Sequence, residues 1–180
     1  MLKHGILGLL NYGDMTGYKI MEVFRDSLNY FWTAQTSQIY RELRTLEKQG
    51  AVTHTVIKGD GRPDSKLFSI TDEGRAELIR WLSGENGFDT RSRLLMLTFF
   101  RGELPAEENI RFFKEIKKSA LRFGSGMDKP AEKSDLYAKA LSIPEKAVYW
   151  KMTVAYGAMY VKMLCEWCDM CISMLDEKEE

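Results

Sequence analysis

The sequence predicts a mainly α-helical protein with one small β-hairpin, built in two parts, and three observations predict it. The stretch Thr36–Gly50 (TSQIYRELRTLEKQG) reads as a short helix with one apolar stripe and one donor-rich face. Between Ala51 and Leu82 the hydrophobic period changes from helix to strand and back to helix. From Pro144 to about Leu175 the chain is apolar around most of a helical circumference.

The elements follow in order. Leu2, Ile6, Leu9 and Leu10 have helical spacing, and Gly13-Asp14 supplies turn chemistry after them. Thr16 is placed to cap a second helix, on which Tyr18, Met21, Phe24, Arg25 and Leu28 lie on neighbouring turns. Residues 29–35 connect it to the third, with Tyr30, Phe31 and Trp32 expected to pack as an apolar plug. In the third helix Thr36 is the expected cap, and Ile39, Leu43 and Leu46 form the buried stripe. Gly50 suits the left-handed position past its end. The opposite face carries Ser37, Gln38, Arg41, Arg44, Thr45 and Lys48, with Tyr40 beside it. Taken alone, this is either an ordinary solvated amphipathic helix or one suited to a DNA major groove.

Residues 51–57 (AVTHTVI) and 67–70 (LFSI) alternate as strands around the loop KGDGRPDSK. Thr71 then caps another helix, whose buried stripe is expected to be Leu78, Trp81 and Leu82. Three helices, a hairpin and a helix make the order of a winged helix-turn-helix, with the hairpin as the wing.

Three ordered segments carry a family resemblance: LGLLNYGDMTGYKI, SQIYRELRTLEKQGAV and GDGRPDSKLFSITDEGRAEL. In these the chain resembles the PadR family of bacterial transcriptional regulators. The resemblance implies a dimeric regulator that binds a short inverted repeat, most often as a repressor. It also implies relatives that respond to phenolic acids or hydrophobic drugs, although no pocket residue is motif-like enough to carry over. A looser match, in LLMLTFFRGELP and the spacing from Tyr156-Gly157 to Trp167, resembles the family's C-terminal helical dimerisation region.

The break GENGFD sets the expected boundary: residues 1–84 form a winged helix-turn-helix DNA-binding domain and residues 88–176 a helical dimerisation and effector domain. In the second part, Leu94 to Phe100 and Phe112 to Phe123 give two apolar helices, with Lys114, Lys117 and Lys118 in solvent. Residues 124–135 (GSGMDKPAEKSD) read as a polar loop. In the last helix the expected dimer contacts are Met152, Met159, Met163, Leu164, Trp167, Cys168 and Leu175, because a second copy is the simplest cover for so apolar a surface. Its methionines also suit an effector pocket.

For DNA, the candidates are Thr36, Ser37, Gln38, Tyr40, Arg41, Arg44 and Lys48 on the helix and Lys58, Arg62 and Lys66 on the wing. Arginine pairs bidentately with guanine and glutamine with adenine, whereas the wing cations meet phosphates. Tyr40 has a second reading as half-buried core, and Glu42 and Glu47 are expected to partner the helix cations. Net charge is zero, so DNA contact has to come from a local basic face.

Cys165, Cys168 and Cys171 resemble part of an iron–sulfur run, but they fall in a helical apolar pattern without a fourth cysteine, which favours packing over metal or redox work. His4 and His54 lack the neighbours of a catalytic site, and Gly59-Asp60-Gly61 sits in a hairpin tip, the wrong context for nucleotide binding. The reading is therefore a non-enzymatic, cofactor-free cytoplasmic homodimer. Its partners are double-stranded DNA and a small hydrophobic effector, with no membrane association. The rivals are an interaction module that does not bind DNA and a thiol or metal sensor built on the cysteines.

Overall fold

A computed structural model describes residues 1–59, 63–84, 92–125 and 128–177, with only the backbone given for Tyr30 and residues 128–133. The chain divides into two compact units, Met1–Gly87 and Phe88–Glu180. Among the described residues no helix is long and apolar enough to cross a membrane.

The first unit contains α1 (Leu2–Leu10), β1 (Met15–Thr16), α2 (Gly17–Asp26), α3 (Thr36–Lys48), β2 (Val52–Ile57), β3 (Ser65–Ile70) and α4 (Asp72–Leu82). The most apolar helix of this unit, α1, packs against α2, α3, α4 and β3. Its Ile6, Leu7 and Leu10 meet Ile20 and Phe24 of α2 and Leu43 and Leu46 of α3 in a core of fully buried side chains. The three strands are antiparallel in the order β1-β3-β2, with Val52 opposite Ile70 and Ile57 opposite Ser65. The hairpin lies where the sequence puts it. The two-residue β1, pairing Met15 with Phe68, is an addition that its length hides from any periodicity.

Capping explains where the helices start and stop. The Thr16 hydroxyl accepts the Lys19 N–H at 3.2 Å, as expected for α2. Beyond α3, Gly50 adopts φ +72°, and the Ala51 N–H reaches the Leu46 carbonyl at 2.9 Å, so a left-handed glycine closes the helix. Thr71 both accepts the Gly74 N–H at 3.1 Å and donates to the Gly50 carbonyl at 2.6 Å. One side chain thus starts α4 and fastens it to the end of α3.

Two expectations for this unit are corrected. Leu82 is exposed; the buried side of α4 is Gly74 and Leu78, with Trp81 stacked on His4 at 4.4 Å between ring centroids. Phe31 and Trp32 are exposed rather than forming a plug, and the Tyr30 side chain lies outside the described residues.

The second unit holds α5 (Arg93–Phe100), α6 (Ala106–Gly124), α7 (Asp128–Ala140) and α8 (Ala147–Asp176). Helices α6 and α7 pack along α8. Asn109, buried in the first turns of α6, donates to the carbonyls of Arg101 and Leu104 at 2.9 and 3.1 Å and accepts from Arg101 Nε at 2.8 Å. The Arg101 guanidinium also lies over the Phe112 ring, 3.9 Å from its centroid, so the corner between α5 and α6 is held by one clamp. Residues 124–135 are not a loop throughout: α7 begins at Asp128. Its glycines and serines suggest coil, but Ala138 and Ser134 are buried and the helix packs along α8, so tertiary contact overrides local composition.

Candidate nucleic-acid interface

The outer face of α3 is built by helical spacing alone. Ser37, Arg41, Arg44, Thr45 and Lys48 recur at four, three, one and three residues, so they share a side opposite the buried Ile39, Leu43 and Leu46. They surround a shallow open depression into which only donors project apart from the hydroxyl oxygens. The Thr45 hydroxyl donates to the Arg41 carbonyl at 3.1 Å. Among the described residues, the Arg41, Arg44 and Lys48 side chains have no carboxylate partner.

The reason is a contact that sequence reasoning assigned differently. Glu47 turns away from the helix cations and bonds His54 Nδ1 on β2. This removes an acid from the donor face and ties α3 to the wing. Glu42 makes no ion pair among the described residues. The alternation of β2, with His54 on the side of Val52, was the available signal for the tie.

The start of α3 also departs from expectation. Thr36 is the first helical residue rather than its cap; Gln35 caps, and its N–H is bonded by Gln38 Oε1 at 2.8 Å. Held this way, Gln38 spends one lone pair of its amide oxygen on the cap, and the second lone pair and the NH2 remain for a base. Tyr40 is part packing and part surface. A Cβ on Gly17 would lie 2.6 Å from the Tyr40 ring, so that ring rests directly on the α2 backbone and sets how closely the two helices of the motif approach.

On the wing, Lys58 and Lys66 are exposed, with Lys66 opposite Val56 in the hairpin. The Gly59 N–H donates to Asp64 at 3.2 Å, directing that carboxylate into the turn. Arg62 lies outside the described residues.

The expected dimer contacts divide between two faces of α8. Met152, Met159 and Met163 are exposed and fall in line with Tyr149, Tyr156, Met170 and Met174. Tyr149, Tyr156, Met163 and Met170 are each seven residues apart, and Met152 and Met159 fill the intermediate position, which is the pattern of a helix–helix seam. Leu164, Trp167 and Leu175 are instead partly covered by the chain itself, Trp167 meeting Phe113 of α6 edge-to-face at 5.5 Å. Cys168 is fully buried, which removes it from any contact with a second copy in this arrangement. Burial pushes its thiol up to about 11 and raises Cys171 as well, the opposite of what a thiolate sensor needs. Among the described residues no cluster of histidine, cysteine or acid could hold a metal.

Comparison with known proteins gives this geometry its context. Residues 6–80 match the transcriptional regulator PadR-like family and residues 90–176 match the virulence activator alpha C-terminal family. The negative transcriptional regulator PadR of Bacillus subtilis is 30% identical over 182 residues, covering 98% of each chain. The crystal structure of that Bacillus subtilis protein in complex with operator DNA superposes with a TM-score of 0.79 at 25% identity, over 97% of this chain and 98% of the other. Its complex with p-coumaric acid superposes with a TM-score of 0.73 at 26% identity, over 97% and 98%.

Proposed function

The chain belongs to the PadR-like family of transcriptional regulators, and on that premise we propose that it binds an inverted-repeat operator as a homodimer and represses transcription until a small hydrophobic effector releases it. The observation that carries the reading is the donor face of α3, where Arg41, Arg44 and Lys48 stand without acidic partners while Glu47 is engaged by His54. Residues 1–84 would act as the DNA-binding domain and residues 88–176 as the dimerisation and effector domain. Arg41 and Arg44 are the base readers and Ser37, Thr45, Lys48, Lys58 and Lys66 the phosphate contacts. Two-fold symmetry requires half-sites about one helical turn apart, roughly 34 Å, or a small multiple of it. The protein would work in the cytoplasm, beside its operator.

The homodimer is supported by apolar surface that the chain leaves open. No residue of α5 is buried, Phe99 being 81% exposed, and the outer seam of α8 includes Met159 at 73%. The effector is supported by the p-coumaric acid complex of the Bacillus subtilis relative.

The test is fluorescence anisotropy of the full chain with DNA from upstream of its own coding sequence, against an unrelated duplex, across a salt series. Preferential binding with a steep negative salt slope is expected, since several phosphates are neutralised. A genome-wide selection that returns no enriched site from a folded dimer would refute the reading. The effector step is tested by adding p-coumaric acid: binding that leaves operator affinity unchanged defeats release by this ligand class.

A further inference from the structure

A second charged surface lies in the other unit, between α6 and α8. Lys114, Lys118 and Arg122 follow one another at four-residue intervals along α6, so their charges line one edge over about 12 Å. Lys117 stands inside that edge and bonds both oxygens of Asp169 on α8 at 2.6 Å, which holds its ammonium protonated and in place. The floor of the groove is aliphatic: Leu121, 53% exposed, and Ile172, half-buried. The free cations have little of their own to bind. Lys114 has no acidic partner among the described residues, Lys118 reaches Glu115 only at 3.7 Å, and Arg122 donates to the Ser119 hydroxyl at 3.3 Å.

At 100° per residue, Asp169 and Ile172 lie on a different side of α8 from Met159 and Met163. The groove is therefore separate from the apolar seam, and a second copy seated on that seam leaves it open.

We propose that the α6–α8 groove docks an acidic amphipathic segment of a partner protein, with an aliphatic side chain on Leu121 and Ile172 and carboxylates on Lys114, Lys118 and Arg122. Charge complementarity selects an acidic partner, and the floor selects a protein over a nucleic acid. A phosphate backbone has nothing apolar to cover Leu121 and Ile172. Lys117, already neutralised by Asp169, sets the position of the rim and leaves binding to its neighbours. Such a surface would let the regulator recruit another protein through the unit that does not carry the α3 donor face.

The probe is a fluorescein-labelled helical peptide of about eighteen residues, with leucine on one stripe and glutamate flanking it, long enough to cover the groove. Its Glu→Gln counterpart and an unrelated duplex serve as comparisons. The full-length protein is expected to bind the acidic peptide saturably. Binding should weaken about tenfold for the Gln peptide and for the Lys114→Glu, Lys118→Glu double variant, and severalfold for Leu121→Asn. Thermal midpoint and binding to the selected operator report that the variants fold. Absence of saturable binding, equal binding by the charge-reversed variant, or loss of duplex binding in place of peptide binding each overturns the proposal.

Discussion

Arg41 and Arg44 illustrate how much a single neighbour decides. Their helix carries acids at Glu42 and Glu47, and in sequence these read as neutralising partners. The fold instead hands Glu47 to His54, leaving the arginines uncompensated. Arg41→Ala and Arg44→Ala should each weaken operator binding by ~1–3 kcal/mol while leaving the thermal midpoint nearly unchanged, as anisotropy and circular dichroism would show. A lost midpoint with retained affinity would mean that these side chains serve the fold. A second residue-scale prediction concerns pH. His4 is held below its ordinary 6.5, first by burial under Trp81 and further by Lys3 and the N-terminal amine, against the opposing bond to Glu77. The folded chain thus keeps the imidazole neutral where the unfolded chain protonates, so stability falls as pH drops below 6.5. Glu77 is pulled down to about 2, first by its bond from Lys3 and then by His4, and its contribution, intact above 4.5, is lost as pH falls toward 2. Melting curves between pH 8 and 5 should show the first loss, and His4→Gln should flatten it; an unchanged slope removes His4 as the cause.

At the level of elements, the junction between α3 and α4 rests on one close approach. A Cβ on Gly74 would lie 2.0 Å from the Ala51 carbonyl oxygen, a backbone atom with nowhere to go. Gly74→Ala should therefore destabilise the first unit by several kcal/mol, at the upper end of single substitutions, despite alanine's better helix propensity. Thr71→Val, which removes both the cap and the bond to Gly50, should cost ~1–2 kcal/mol by chemical denaturation. If the alanine variant melts with the wild type, the α3–α4 contact is looser than its geometry says. These positions also mark the limit of reading by pattern. The helices, the hairpin, the caps at Thr16 and Thr71 and the glycine stop at Gly50 were legible, because periodicity and capping are local. What was not legible depends on distant neighbours. The strand β1 exists only because β3 is there to pair with it. Residues 128–135 are helical because α8 gives that segment something to pack on.

The behaviour of the molecule as an assembly turns on α8, whose two seven-residue repeats face different ways. One, running through Ala147, Val154, Val161, Cys168 and Leu175, meets α6 and α7, and at Gly124 the approach is so close that a Cβ would come within 3.0 Å of Val161. The other, through Tyr149, Tyr156, Met163 and Met170, is left facing outward. A periodicity that covers both faces predicts two covered sides, yet it cannot say which face the chain itself uses; that is why Cys168 and the methionines group together in sequence. If a second copy covers the outer seam, Met159→Glu should drive the protein to monomer, because a buried unpaired carboxylate costs more than several methyl contacts return. Sedimentation velocity would give the mass. Operator affinity should then fall by at least about a hundredfold, since two linked α3 helices gain effective concentration that a lone one lacks. The paired control is Cys168→Ser, which changes only the inner seam and should lower the thermal midpoint while leaving the dimer intact. A monomeric Cys168→Ser with a dimeric Met159→Glu would exchange the roles of the two seams.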